Sequence, residues 1–330
     1  MNRLRFIILW LGAALLASCS ADREPEAQPS ELQAIQLTAE GMSAMAPTRA
    51  ASTEDLQNTA FAAGEDVAVY VENHSGENTY NATPYCFRAE AAVGGHNDLN
   101  YNNSITSRPC YPVDASEGID IYGFYPYSKF SAIDNRSTTD LDVSVNANQS
   151  SVTNYRNSDI MRATPITNQT RTSSAVGLTF SHLMARLVIR LKQGVHSGTS
   201  IVTDSYLANS TLTIGGVTTN ATLDMTDGTI ITGSNSATVT VASSADLAFY
   251  YDNNGEETAN TTEYAIVLPP QALTGKTITI TTGANETISG TLPALTLTAG
   301  HSTVLTLTVN DSGIEATRSN YGNGGTQTWQ

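Results

Sequence analysis

Short runs that alternate threonine with aliphatic residues recur through the second half of the chain. Successive side chains of a β-strand point to opposite faces, so these runs would bury one aliphatic face and expose a hydroxyl-bearing one. Turns rich in glycine and asparagine separate them. Strands are predicted at residues 211–214, 237–241, 264–268, 277–281 and 303–309. The pattern predicts an antiparallel β-sandwich.

The first half carries similar β-branched and aromatic runs and almost no helical periodicity. Strands are predicted at residues 67–71, 85–89, 119–125, 141–145, 176–180 and 185–191, with a Gly/Asn-rich loop at 93–107. Glycine and serine at 193–200 indicate a domain boundary. The sequence therefore predicts an all-β chain with one β-sandwich at residues 50–193, a second at 194–310 and a tail at 311–330.

The amino terminus has the pattern of an export signal. Arg3 and Arg5 precede an apolar run at residues 6–17, which is too short to span a bilayer, since spanning takes about 20 residues. Leu16-Ala17-Ser18-Cys19 resembles the lipobox of bacterial lipoproteins. We expect residues 1–18 to be a lipoprotein signal peptide and Cys19 to carry lipid. An ordinary signal peptide, cut at a nearby small residue, is the alternative.

Residues 19–49 are predicted to be a tether followed by a removable strand. Residues 20–30 are polar and acidic, and residues 32–38 have the composition of a strand. Arg49 and Ala50 then form an exposed-looking junction that a protease could cut. The alternative is that Arg49 is a solvated loop arginine.

Two cysteines remain if Cys19 is lipidated. Cys86 and Cys110 form an even pair in an exported chain, and a disulfide between them would close a loop of about 25 residues and contribute roughly 3 kcal/mol. Two buried free thiols, or a pair too far apart to bridge, are the alternatives.

Composition and motifs argue against several functions. A net charge of −15 with only 16 Lys and Arg residues argues against nucleic-acid binding. The five histidines lack partners at metal-binding spacing, and no nucleophile elbow, zinc-protease helix or phosphate loop is present. We therefore expect no catalytic residue, no metal and no cofactor.

A cluster of aromatic residues could stack on sugar rings or could simply fill a core. Its members are Tyr111, Tyr122, Phe124, Tyr125, Tyr127 and Phe130. Sugar-binding platforms rely heavily on tryptophan, and Trp329 is the one tryptophan outside the predicted signal peptide. The core interpretation is favoured, and a lipid-anchored surface glycan-binding protein is the alternative function.

Several motifs, taken in order, resemble the fimbrillin-like family of type V pilins. They include the lipobox, Thr48-Arg49-Ala50, and the segments 64–67, 124–127, 159–161, 180–187, 266–271 and 297–301. The similarity extends from Cys19 to about Asn310. Each motif is weak alone, and their order carries the resemblance.

This resemblance implies two tandem transthyretin-like (Greek-key) β-sandwich domains in a lipoprotein precursor at the outer membrane. An Arg-specific protease would cut after Arg49, the early strand would leave, and a strand from another pilin subunit would replace it. The product would be a subunit of a cell-surface fimbrium with a role in adhesion to host or bacterial surfaces. The glycine- and asparagine-rich tail would make a poor donor strand. The sequence therefore does not decide whether the subunit belongs to the shaft, the tip or the anchor of the fimbrium.

Overall fold

We analysed a computed structural model of the chain. The structure describes residues 32–40, 60–76, 80–102, 107–136, 140–196, 198, 200–319 and the backbone of 327–328. Among these residues no helix is long and apolar enough to cross a bilayer.

The described chain is mostly β. Its strands are β1 (Leu37–Glu40), β2 (Asp66–Asn73), β3 (Tyr85–Ala89), β4 (Asn97–Tyr101), β5 (Ile119–Tyr125), β6 (Asp140–Ser144), β7 (Met161–Ala163), β8 (Ile166–Gln169), β9 (Val176–His182), β10 (Ala185–Gln193), β11 (Val195–His196), β12 (Ser200–Ile201), β13 (Ser210–Thr218), β14 (Asn220–Asp224), β15 (Ile230–Thr232), β16 (Ser236–Ala245), β17 (Tyr264–Leu268), β18 (Thr277–Thr281), β19 (Thr287–Thr291), β20 (His301–Asn310), β21 (Gly313–Ser319) and β22 (Gln327–Thr328). Two short helices, α1 (Tyr127–Phe130) and α2 (Val152–Arg156), and a 3-10 turn (Asp204–Leu207) complete it.

Seven strands of the first half form a closed ring. The pairing order is β2-β3-β4-β1-β9-β7-β5, and β5 pairs back onto β2, while β8 extends from β5. Alternate residues of these strands point inward and build one apolar core, which includes Val67, Val69, Phe87 and Leu178. The result is a partial barrel whose sheet has no gap between β4 and β9 because β1 lies there.

Two large sheets of the second half pack over a shared core, beside the smaller sheets β15-β14-β6 and β11-β12. One has the order β17-β10-β20-β21, with β10 and β20 parallel, and the other has the order β16-β13-β18-β19. Leu187 and Leu305 of the first sheet and Leu212 and Ile278 of the second belong to the same buried cluster. This is the layered packing of a β-sandwich.

Two segments from before residue 193 join sheets of the second half. β10 pairs with β17 and β20, and β6 pairs with β14. Backbone pairing therefore crosses the boundary that the sequence predicts. The boundary itself and the tandem transthyretin-like arrangement remain predictions.

Most predicted strands correspond to strands in the structure, and residues 85–89, 119–125, 264–268 and 277–281 match to the residue. The loop predicted at 93–107 was wrong in part, because β4 occupies Asn97–Tyr101. Its Leu99 is buried, but Asp98 and Asn100 make the run look like a loop. The predicted leading strand also lies later in the chain than expected, at Leu37–Glu40.

Candidate functional site

The candidate site is the space between β4 and β9 that β1 fills, which we call the β1 slot. β1 pairs antiparallel with β4, with Leu37 opposite Leu99 and Ala39 opposite Asn97. On its other edge it pairs parallel with β9, with Leu37 beside Val176. A strand paired on both edges is an interior strand, and its loss would leave two unpaired edges facing each other.

Alternate side chains of the leading segment enter the ring core, and of the outward ones Thr38 is also covered, with 9% exposure. Ile35, Leu37 and Ala39 are buried with at most 3% exposure, whereas Gln36 and Glu40 are exposed. Burial of a side chain the size of Ile35 or Leu37 contributes roughly 1.5–3 kcal/mol. The period of two residues thus makes this short segment a strand that belongs to the ring core.

Backbone hydrogen bonds extend the pairing to the residues before β1. The Ile35 N–H donates to the Pro109 carbonyl at 3.0 Å, and the Val176 N–H donates to the Gln36 carbonyl at 2.9 Å. Ala34 forms an isolated antiparallel bridge with Cys110. The segment that fills the β1 slot therefore begins near Ala34, within the range 32–38 that the sequence predicts, although the strand itself starts at Leu37.

Gly177 makes room for the last residue of β1 on the outer face. A Cβ on Gly177 would lie 2.5 Å from Glu40 Cγ, far inside van der Waals contact. The Glu40 carboxylate accepts a hydrogen bond from the Thr38 hydroxyl at 2.9 Å. The Glu40 side chain therefore folds back across β9 and lies against Gly177.

A buried asparagine on β4 holds Phe61, near the start of the described stretch 60–76. The Asn97 side chain accepts from the Phe61 N–H at 2.8 Å, and its amide nitrogen donates to the carbonyls of Phe61 at 2.9 Å and Glu90 at 2.7 Å. Asn97 is fully buried. The sequence did not single out this residue, because it lies in the predicted loop.

Phe61 closes one end of the ring core. Its ring centroid lies 5.0 Å from that of Phe180, edge to face, and 5.2 Å from that of Tyr125. The Tyr125 hydroxyl donates to Glu65 at 2.7 Å, and Glu65 forms an ion pair with Arg156 of α2 at 3.2 Å. Asn97 thus fixes the chain at Phe61, beside the β1 slot.

The predicted processing residues lie outside the described residues. Cys19 precedes residue 32, and Arg49 and Ala50 lie within residues 41–59. β1 ends at Glu40 and Phe61 is held by Asn97, so a cut after Arg49 would fall between the strand in the slot and the fixed Phe61.

The predicted disulfide between Cys86 and Cys110 is not formed. Both thiols are free, Cys86 buried and Cys110 partly exposed. Cys86 hydrogen-bonds Asp66 and Asn102, and burial raises the pKa of its thiol to about 12. Its neighbours Tyr85 and Phe87 belong to the ring core, so the Cys86 thiol lies on the opposite face of β3.

The aromatic cluster is mostly core. Tyr111, Phe124, Tyr125 and Phe130 have at most 1% exposure, and no ring buried to that extent can stack on a sugar. Tyr122 is partly buried, and the Arg136 guanidinium lies 3.4 Å above its ring centroid. In the part of the chain that the structure describes, no group of three or more His, Cys, Asp or Glu side chains could hold a metal ion.

Comparison with known proteins identifies the family of this chain. The sequence model of the fimbrillin-like family matches residues 48–322, which is most of the chain. The chain belongs to the fimbrillin-like family. This is a family of fimbrial structural subunits, which are not enzymes.

Proteins similar to this chain support the family assignment. A protein of Bacteroides uniformis named "Putative fimbrium subunit Fim1C" is 27% identical over 338 aligned residues, which cover 99% of each chain. Crystal structures of two proteins named "putative cell adhesion protein" share its fold. The one from Bacteroides uniformis has a TM-score of 0.63 at 18% identity and covers 92% of this chain and 100% of its own. The one from Bacteroides ovatus has a TM-score of 0.61 at 14% identity and covers 91% and 98%.

Proposed function

We propose that this fimbrillin-like chain is a structural subunit of a cell-surface fimbrium that assembles by β-strand exchange. In this proposal Cys19 carries the lipid of an outer-membrane precursor. An Arg-specific protease cuts between Arg49 and Ala50, the segment with β1 leaves, and a strand from another pilin subunit fills the β1 slot. Adhesion to host or bacterial surfaces would be a function of the finished fimbrium.

One observation carries the proposal: β1 is an interior strand, paired with β4 on one edge and β9 on the other, and it precedes every other described strand of the ring. A cut after Arg49 would separate β1 from Phe61 and the strands that follow, so β1 could leave without removing another strand of the ring. Its departure would expose the unpaired edges of β4 and β9 and the apolar sites of Ile35 and Leu37. A replacement strand would pair with both exposed edges and refill both apolar sites.

Cleavage and assembly can be tested with the purified precursor and its Arg49→Gln variant. We expect an Arg-specific protease to release a fragment ending at Arg49, identified by mass spectrometry, and filaments to form only from the cut protein. Arg23, also outside the described residues, is the matched control: Arg23→Gln should leave both cleavage and filaments unchanged. Filaments of Arg49→Gln as abundant as those of the parent would refute the proposal.

A further inference from the structure

We propose that the β1 slot accepts only strands with two large apolar residues followed by a small one, each two positions apart, and that another pilin subunit supplies such a strand from a segment other than residues 311–330. The large residues would occupy the sites of Ile35 and Leu37, and the small residue the site of Ala39. This inference rests on the proposed strand exchange, and it names the partner that the exchange would use.

The first two sites are shaped for large side chains. Ile35 is fully buried, and Leu37 has 3% exposure and lies between Leu99 of β4 and Val176 of β9. Both belong to the ring core. A smaller residue at either site would leave a cavity in a closed core, where the lost contacts have no replacement.

The third site is small because of what lies opposite it. Ala39 has 3% exposure and sits between Asn97 of β4 and Leu178 of β9, both fully buried. The Asn97 side chain makes three hydrogen bonds to backbone groups of Phe61 and Glu90. It cannot turn away from a larger neighbour without leaving buried backbone groups unpaired.

Aromatic rings fill the core beside Asn97, because Phe61, which Asn97 holds, packs against Phe180 and Tyr125. A leucine in place of Ala39 would add volume against the Asn97 amide, and added volume in a filled core is poorly tolerated.

The small site fixes the register of an incoming strand. A shift by one residue would turn the outward face of the strand into the core. A shift by two residues would bring a large residue to the site of Ala39 in one direction and the small residue to the site of Leu37 in the other. Only one alignment therefore places both large residues in large sites and the small residue opposite Asn97.

Residues 311–330 of this chain do not carry the required pattern. Read at every second position, Ile314 is followed by Ala316 and Arg318, and Tyr321 by Asn323. No pair of large apolar residues two positions apart precedes a small one in this stretch. β21, which contains Ile314, is already paired with β20. Residues 311–330 therefore do not supply the strand that fits the β1 slot.

Peptide binding separates this inference from the strand exchange itself. The full mature chain is cut at Arg49 and separated from its leading fragment, and fluorescent peptides of residues 31–41 are titrated against it. We expect the parent peptide to bind, the Ala39→Ser peptide to bind within about threefold and the Ala39→Leu peptide to bind roughly 30-fold more weakly, because the added volume meets the Asn97 amide. Gln36→Leu, which changes an exposed position, is the control and should bind like the parent.

A peptide of residues 311–321 tests the origin of the donor, and we expect it to bind at least as weakly as the Ala39→Leu peptide. Tight binding of that peptide would overturn the exclusion of residues 311–330 as the donor. Binding of the Ala39→Leu peptide within threefold of the parent would overturn the small site and leave strand exchange standing. Failure of the parent peptide to bind would instead overturn the exchange.

The intact chain gives an independent measurement of the small site. We expect Ala39→Leu to lower the urea midpoint of the uncut chain well below that of the Gln36→Leu control. An unchanged midpoint would refute the small site even if no peptide bound.

Discussion

The side chain of Gln149 pairs with both backbone groups of Val267. Its Nε2 donates to the Val267 carbonyl at 2.9 Å, and its Oε1 accepts from the Val267 N–H at 2.8 Å. Val267 lies on β17, the edge strand of its sheet, and Gln149 is buried. One side chain from the loop before α2 thus covers part of a strand edge that would otherwise be open to pairing.

Replacement of Gln149 by alanine should destabilise the chain. The Val267 N–H and carbonyl would lose their partner inside the protein, and about 2–4 kcal/mol of unfolding free energy should be lost. Urea unfolding followed by circular dichroism measures this change. Gln36→Ala is the control, since that side chain is exposed, and should stay within about 0.5 kcal/mol of the parent. Equal midpoints for the two variants would show that the pairing contributes nothing.

Asn97→Ala should destabilise the chain and release the backbone at Phe61. The variant removes three hydrogen bonds to backbone groups and leaves the Phe61 N–H without its partner, at a cost of about 2–4 kcal/mol. We also expect faster proteolysis between residue 60 and β2. Asn100, on the same strand, bonds only at the surface with Glu90, so Asn100→Ala is the matched control and should change little.

The two free cysteines should react at very different rates. With the pKa of its thiol near 12, Cys86 is protonated at pH 8 in all but about one molecule in ten thousand, and it is buried. In a Cys19→Ser chain, iodoacetamide should label Cys110 in the native state and Cys86 only after unfolding, or above pH 11 as the thiolate forms. Mass spectrometry of the unreduced chain counts the labels. A chain that takes up no label even when unfolded would contain the disulfide after all.

Much of the fold could be predicted from the sequence because alternation is a local signal. β17 and β18 were predicted to the residue, since their inward residues are β-branched or aliphatic and turns bound them. β4 was missed because Asp98 and Asn100 face solvent and Asn97 is a polar residue inside the core, where its partners come from residues 61 and 90. No local pattern reveals such distant partners.

The candidate site, like the fold, could be predicted from the sequence only in part. The leading strand was predicted, because Ile35 and Leu37 alternate with glutamine and threonine. Its position between β4 and β9 was not, because strand order depends on the whole ring. The disulfide between Cys86 and Cys110 was expected from an even count of cysteines, and a count contains no information about which face of β3 carries the thiol.

Leu37→Ala should affect the chain before cleavage and not after it. In the uncut chain this substitution leaves a cavity in the ring core and should cost about 2–4 kcal/mol of unfolding free energy. Once Arg49 is cut and the leading segment has left, residue 37 is no longer part of the molecule, so parent and variant should unfold at the same midpoint. Leu99→Ala, the partner position on β4, is the control and should destabilise both forms, because β4 stays in the fold. A Leu37→Ala chain that stays less stable than the parent after cleavage would show that β1 has not departed.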